Sequence, residues 1–289
     1  MSQDTSTPRT RYGMTDEEIA GHPTVYREDL FRGKVVLVSG AAGGIGRATA
    51  ALFARLGATL ELCGRDPDKL AQLAEALGGY GVPVHTTSLT IRDPDQVGGL
   101  IAAVWERHGR LDVQVNSAGG QFAQYALDFA PKGWNAVIDT NLNGTWYMMQ
   151  HAALRWRDEG TGGNIINIVA VISRGLPGMA HTAAARAGVV GLSKTVATEW
   201  AHLGVRVNCI APGTIETPAF RQYPDEGRAT LYKANPLRRA GHVMDMAQAC
   251  VYLAAETGDF ITGELLHVDG GQQNFGDPWP AGRPDYLAE

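Results

Sequence analysis

The stretch Val35-Val36-Leu37-Val38-Ser39-Gly40-Ala41-Ala42-Gly43-Gly44-Ile45-Gly46-Arg47 decides the fold. A run of apolar, mostly β-branched residues reads as a buried strand, and the glycines after it read as a tight turn. From Arg47 to Leu56, alanine and leucine recur at helical spacing. A Gly-x-x-x-Gly-x-Gly turn between a strand and a helix has a physical purpose. Small residues let the backbone approach a pyrophosphate, and the helix N-terminus offers free N–H groups at the positive end of its dipole. The loop from Ser39, with Gly40, Gly43, Gly44, Ile45 and Gly46, is therefore expected to cradle a nicotinamide dinucleotide.

The same alternation continues outward. Thr59–Cys63 reads as a second strand and Asp68–Leu77 as a second helix, started by Asp66-Pro67. Val84–Thr87 is a third strand, and Asp93-Pro94 opens a helix running to about Arg107. Further strands are expected at 111–115, 165–169, 205–210 and 265–268. Apolar strands separated by amphipathic helices imply a parallel sheet covered on both faces. The expectation is an α/β fold: one doubly wound domain with a seven-stranded parallel sheet. The chain divides as an N-terminal extension outside the core (1–30), that domain (31–272), and a tail (273–289) containing Pro278, Trp279, Pro280 and Pro284.

Cofactor choice turns on the end of the second strand. An acidic residue there would hold the ribose 2′-hydroxyl and repel a 2′-phosphate. The position is Gly64, followed by Arg65, whose guanidinium suits a 2′-phosphate. NADP is expected rather than NAD.

Composition narrows the class. With 44% hydrophobic residues, the 289-residue chain can bury a substantial core. A net charge of −5 gives no electrostatic footprint for nucleic acid. Cys63, Cys209 and Cys250 lie far apart without a CxxC pair, which argues against a disulfide framework or a metal site and for a reducing compartment. No stretch approaches the ~20 apolar residues of a membrane span, and the N-terminus lacks a signal-peptide pattern. A cytoplasmic protein without membrane association is expected.

Ser39–Gly46, Asn116-Ser117-Ala118-Gly119, Asn141 with Gly144, Arg206-Val207-Asn208 with Ala211-Pro212-Gly213, and Ile261-Thr262-Gly263 with Val268-Asp269-Gly270-Gly271 occur in this order. Over roughly residues 31–272 the chain resembles the short-chain dehydrogenase/reductases, which have a Rossmann-type fold. The resemblance implies that Asn116, Ala118 and Gly119 line the adenosine ribose side. It places Thr90 and Ile91 beside the adenine. Pro212, Gly213, Thr214, Ile215 and Thr217 would hold the nicotinamide and its phosphate. It also implies a homo-oligomer, a tetramer in the usual assembly.

The family's catalytic set is Asn, Ser, Tyr and Lys. Asn141 is present, but the resemblance puts Thr182 at the Tyr position, Arg186 at the Lys position, and Val169 or Ala170 at the Ser position. Thr182 and Arg186, four residues apart, share a helical face. A threonine hydroxyl is a far weaker acid than a phenol; Arg186 can still bind the cofactor by donating to its ribose hydroxyls, but it keeps its charge and relays no proton. Gly119-Gly120-Gln121-Phe122, Lys132-Gly133-Trp134, His181–Gly188 and Glu199-Trp200-Ala201 resemble the trans-2-enoyl-CoA reductases and bacterial citronellol-type dehydrogenases of the family. The related 2,4-dienoyl-CoA reductases also lack the Tyr.

This resemblance implies an NADP(H)-dependent oxidoreductase acting on a small apolar substrate such as a CoA thioester. Hydride transfer to the β-carbon of an α,β-unsaturated acyl thioester or enone needs donors that polarise a carbonyl, and Asn141 and Thr182 are the candidates. Two alternatives stay open: a dehydrogenase of a hydrophobic, terpenoid-type alcohol, and a dinucleotide-binding protein with little or no turnover. His181 and Ser173 are further proton-handling candidates. The segment Glu216–Leu237, with Phe220, Tyr223 and Tyr232, lies where the family's substrate lid lies.

Overall fold

A computed structural model describes residues 12–275 and residue 285. All seven expected strands are present: β1 (Val35–Ser39), β2 (Thr59–Gly64), β3 (Val84–Ser88), β4 (Val113–Asn116), β5 (Gly163–Ile168), β6 (Val205–Pro212) and β7 (Leu265–Val268). They pair in parallel in the order 3-2-1-4-5-6-7. The chain winds outward from β1 to β3, then crosses to β4 and winds the other way. The crevice beyond the carboxyl ends of β1 and β4 is therefore the topological switch point, where such sheets bind ligands.

The helices are α1 (Asp16–Ala20), α2 (Gly44–Arg55), α3 (Pro67–Gly78), α4 (Pro94–His108), α5 (Pro131–Ile138), α6 (Gly144–Glu159), α7 (Ala180–Glu199), α8 (Asp225–Leu231) and α9 (Val243–Ala254). Strand alternation sorts the core into two layers. Val36 and Val38 of β1 with Leu60 and Leu62 of β2 pack under α2, α3 and α9. Val35, Leu37 and Cys63 face the opposite layer, under α4 and α6. There Trp156 is fully buried and its Nε1 donates to the Leu111 carbonyl at 2.8 Å.

Local chemistry sets the helix starts. Asp66 Oδ1 accepts from the Lys69 amide at 3.1 Å, and Asp93 Oδ1 accepts from the amides of Asp95 and Gln96, with Pro67 and Pro94 at the first helical positions. Helix α2 begins at Gly44, three residues before the periodic segment, because the glycine turn itself forms its first turn.

The N-terminal extension is not outside the core where it is described. Ile19 of α1 is buried beneath α2, and Met14, Tyr26 and Leu30 pack against the same core. Arg47 of α2 bonds Asp16 and the Met14 carbonyl. The charged and proline-containing composition of residues 1–30 concealed these few apolar anchors. Pro278, Trp279, Pro280 and Pro284 lie outside the described residues.

All three cysteines are buried and free. Burial pushes the thiols of Cys63 and Cys250 up to about 12 and that of Cys209 to about 11. The thiolate is the reactive form. Iodoacetamide at neutral pH is therefore expected to leave all three unmodified by mass spectrometry until denaturant is added.

Candidate active site

Glycine is required in the first turn by steric contact. Gly40 has φ +65°, and a Cβ there would sit 2.6 Å from the Ala118 Cα. A Cβ on Gly46 would sit 2.3 Å from the Gly40 carbonyl oxygen. The turn folds back on itself and leaves the α2 N-terminus, capped by no side chain, pointing into the crevice. Thr217 packs against Gly44, since a Cβ there would meet its methyl at 2.9 Å.

A cavity of about 440 Å³ opens from this turn. Gly43, Gly44, Ile45, Gly46, Gly119, Pro212, Gly213, Thr214, Ile215 and Thr217 line it together. The cradle, the exposed helix N-terminus and the absence of side-chain bulk fit a pyrophosphate. Arg65 lies just past β2 with its side chain exposed. Thr90 accepts from the Arg92 amide at 3.4 Å, while Ile91 is buried against Gly144 rather than open to the crevice. The Asn116 side chain also turns inward: it donates to Asn167 Oδ1 at 2.8 Å and accepts from Gln114 Nε2 at 3.0 Å. Only its backbone and that of Ala118 remain for a ribose. Gly40 shapes the turn from beneath, its carbonyl held against Gly46.

The structure brings Asn141 and Arg186 together. Asn141 sits in a π-helical turn (Asp139–Asn143) between α5 and α6, a device that bends a helix at functional positions. Its amide clamps Gly120: Oδ1 accepts from the Gly120 N–H at 2.9 Å and Nδ2 donates to the Gly120 carbonyl at 3.0 Å. Arg186 reaches the Asn141 carbonyl at 3.4 Å, and its Nη2 lies 2.3 Å from where a Gly119 Cβ would be. The bare backbone at Gly119 thus makes room for the guanidinium fork. Burial pulls the Arg186 pKa down to about 10, so the side chain stays cationic at neutral pH.

Thr182 is not placed as a donor. It is buried, its hydroxyl lies 3.2 Å from His181 Nδ1, and it does not line the cavity. His181 is itself enclosed, with Phe122 and Phe129 at 4.6 and 4.5 Å, and burial pulls its pKa down, favouring the neutral ring. Ser173 is exposed and outside the lining. The cavity wall there presents Val169, Ala170, Val171, Leu176 and Met179.

Two polar pairs in the lining were not legible from spacing. Gln121 Nε2 donates to the Tyr223 hydroxyl at 2.8 Å. Gln272 accepts from the Thr214 amide at 2.9 Å and from its hydroxyl at 3.1 Å. Arg186 is the charged side chain of the lining among the described residues.

A family profile described as enoyl-(acyl carrier protein) reductase matches residues 40–273. The chain is 37% identical over 243 residues to the 3-oxoacyl-acyl-carrier-protein reductase FabG of Thermotoga maritima, covering 83% of this chain and 97% of that protein. It is 32% identical over 252 residues to a Bacillus subtilis protein named as a probable 2,4-dienoyl-CoA reductase, covering 86% of this chain and 98% of that protein. Among solved structures it is similar to the citronellol catabolism dehydrogenase AtuB of Pseudomonas aeruginosa, with TM-score 0.78 and 34% identity over 86% of this chain and 99% of that one. A short-chain dehydrogenase from Bacillus anthracis gives TM-score 0.78 at 36% identity, covering 83% and 97%. No helix among the described residues is long and apolar enough to cross a membrane. Sheet order, glycine turn and matches agree: the chain belongs to the short-chain dehydrogenase/reductase superfamily of oxidoreductases, whose members bind NAD(P).

Proposed function

We infer that the protein is an NADP(H)-dependent reductase of an α,β-unsaturated acyl thioester or related enone. One observation carries this reading. The cavity wall where the family has its hydroxyl acids is apolar, from Val169 to Met179, while a buried cation, Arg186, faces the same space. Carbonyl reduction needs a proton delivered to oxygen as the hydride arrives. Conjugate reduction instead builds enolate charge, which a fixed cation in a dry site stabilises.

Bound NADPH supplies a hydride. The chain's residues do the rest. Gly43–Gly46 and Thr217 hold the pyrophosphate, and Arg65 pairs with the 2′-phosphate. Asn141 fixes the Gly119-Gly120 loop in the cavity wall. Arg186 opposes the charge that develops on the thioester oxygen. The Tyr223 hydroxyl, polarised by the N–H of Gln121, returns the proton to the α-carbon. Relatives named as a 2,4-dienoyl-CoA reductase and an acyl-carrier-protein reductase fit an acyl thioester. Phe220, Tyr223 and Leu231 add apolar surface for its chain. The buried free thiols fit a cytoplasmic protein, and the assembly proposed is a homotetramer, which light scattering checks as four chains per particle.

The test is NADPH oxidation with trans-2-enoyl-CoA substrates of increasing length, alongside NADP⁺ reduction with citronellol or geraniol. The reading requires the first and fails if only the second is seen. Tyr223→Phe is expected to lower kcat by about a hundredfold, the low end for loss of a general acid, with little change in NADPH affinity by fluorescence titration.

A further inference from the structure

Away from the cofactor cavity, β2, β3 and the end of α4 bring three ligand-type side chains together. Glu61, in the middle of β2, has no exposed surface, and its register partner on β3 is His85. His108, the last residue of α4, places Nε2 at 2.7 Å from Glu61 Oε1. One ligand atom from each of Glu61, His85 and His108 falls within 4.8 Å of the other two. The two imidazole rings lie 5.4 Å apart.

A second observation points to a ligand. Glu61 Oε2 is buried and has no hydrogen-bond partner. A carboxylate oxygen in that state costs stability, and a cation bound beside it would satisfy it. Arg107 bonds the other oxygen, Oε1, and its side chain is 38% exposed, so it can swing to solvent when a stronger cation arrives.

We propose that Glu61, His85 and His108 bind one divalent transition-metal ion, zinc being the first choice, through one carboxylate and two imidazoles. Two nitrogens and one oxygen suit zinc, with water completing the tetrahedron. None of the three lines the cofactor cavity, so the ion acts on stability rather than on hydride transfer. It clips the edge strand β3 and the end of α4 to β2. The cysteine spacing gave no hint of it, because the ligands come from three separate elements and include no cysteine.

Untagged protein is titrated with Zn²⁺ alone by calorimetry, and with Co²⁺ by visible absorption. The expected result is one equivalent bound, a higher Tm with Zn²⁺, and a Co²⁺ spectrum of low coordination number. His85→Ala, at a partly exposed edge-strand position, is expected to weaken binding by at least about tenfold and to abolish the Tm gain. Arg107→Gln, which removes the competing cation, is expected to bind zinc more tightly than the wild type. Absence of saturable binding in the wild type, or equal affinity in His85→Ala, would overturn the proposal and leave the cluster as a hydrogen-bonded ion pair.

Discussion

Gly46→Val is expected to lose most of its dinucleotide binding. A side chain at this position would begin 2.3 Å from the Gly40 carbonyl oxygen, 2.9 Å from its carbon and 3.1 Å from the Ala41 Cα. All three are backbone atoms, so no rotamer relieves the clash, and the turn must open or α2 must move. Either motion misdirects the α2 N–H groups that meet the pyrophosphate. NADPH affinity, read by fluorescence titration, is expected to fall at least about a hundredfold, since positioned charge-assisted hydrogen bonds to phosphate are lost. Circular dichroism separates this from unfolding. Gly99→Ala is the control, because a Cβ at Gly99 meets nothing within 4 Å, and it is expected to bind NADPH like the wild type.

Arg186→Met removes the cation of the cavity. The methionine fills much of the same space but leaves the thioester oxygen without an opposing charge. The expected loss is about 10²–10³-fold in kcat, the range found for removing one electrostatic stabiliser of an oxyanion. NADPH affinity is expected to change less, because Gly43–Gly46 and Thr217, which hold the pyrophosphate, stay in place. Arg186→Lys restores charge but not the fork that occupies the space above Gly119, so partial recovery is expected. Single-turnover measurement distinguishes a slowed chemical step from slower product release.

The fold was legible because its signals are local. The apolar run 35–38, the glycine turn and the Asp-Pro helix starts each act within a few residues, and seven such segments assemble into one parallel sheet. The glycine turn that lines the cavity was legible for the same reason. The reacting end was less so. Thr182 and Arg186 do share a helical face, yet His181 captures the threonine hydroxyl, and nothing in the four-residue spacing announces that. Asn141 was found, but its work is to hold Gly120, a role set by a π-helical turn rather than by residue type. Tyr223 and Gln121 lie 102 residues apart, and Gln272 and Thr214 lie 58 apart. Such pairs come from the closing of the fold. Asn116 and Ile91 illustrate the converse, since motif positions assigned to the cofactor serve the core with their side chains.

The account rests on where the hydride goes. NADPH carrying deuterium at the transferred position is incubated with the enzyme and an equal mixture of a trans-2-enoyl-CoA and a 3-oxoacyl-CoA, and the products are analysed by mass spectrometry and NMR. Deuterium on the β-carbon of a saturated acyl thioester is the result predicted from the apolar wall and the buried Arg186. Deuterium on a carbinol carbon, or no label transferred to either substrate, would contradict it.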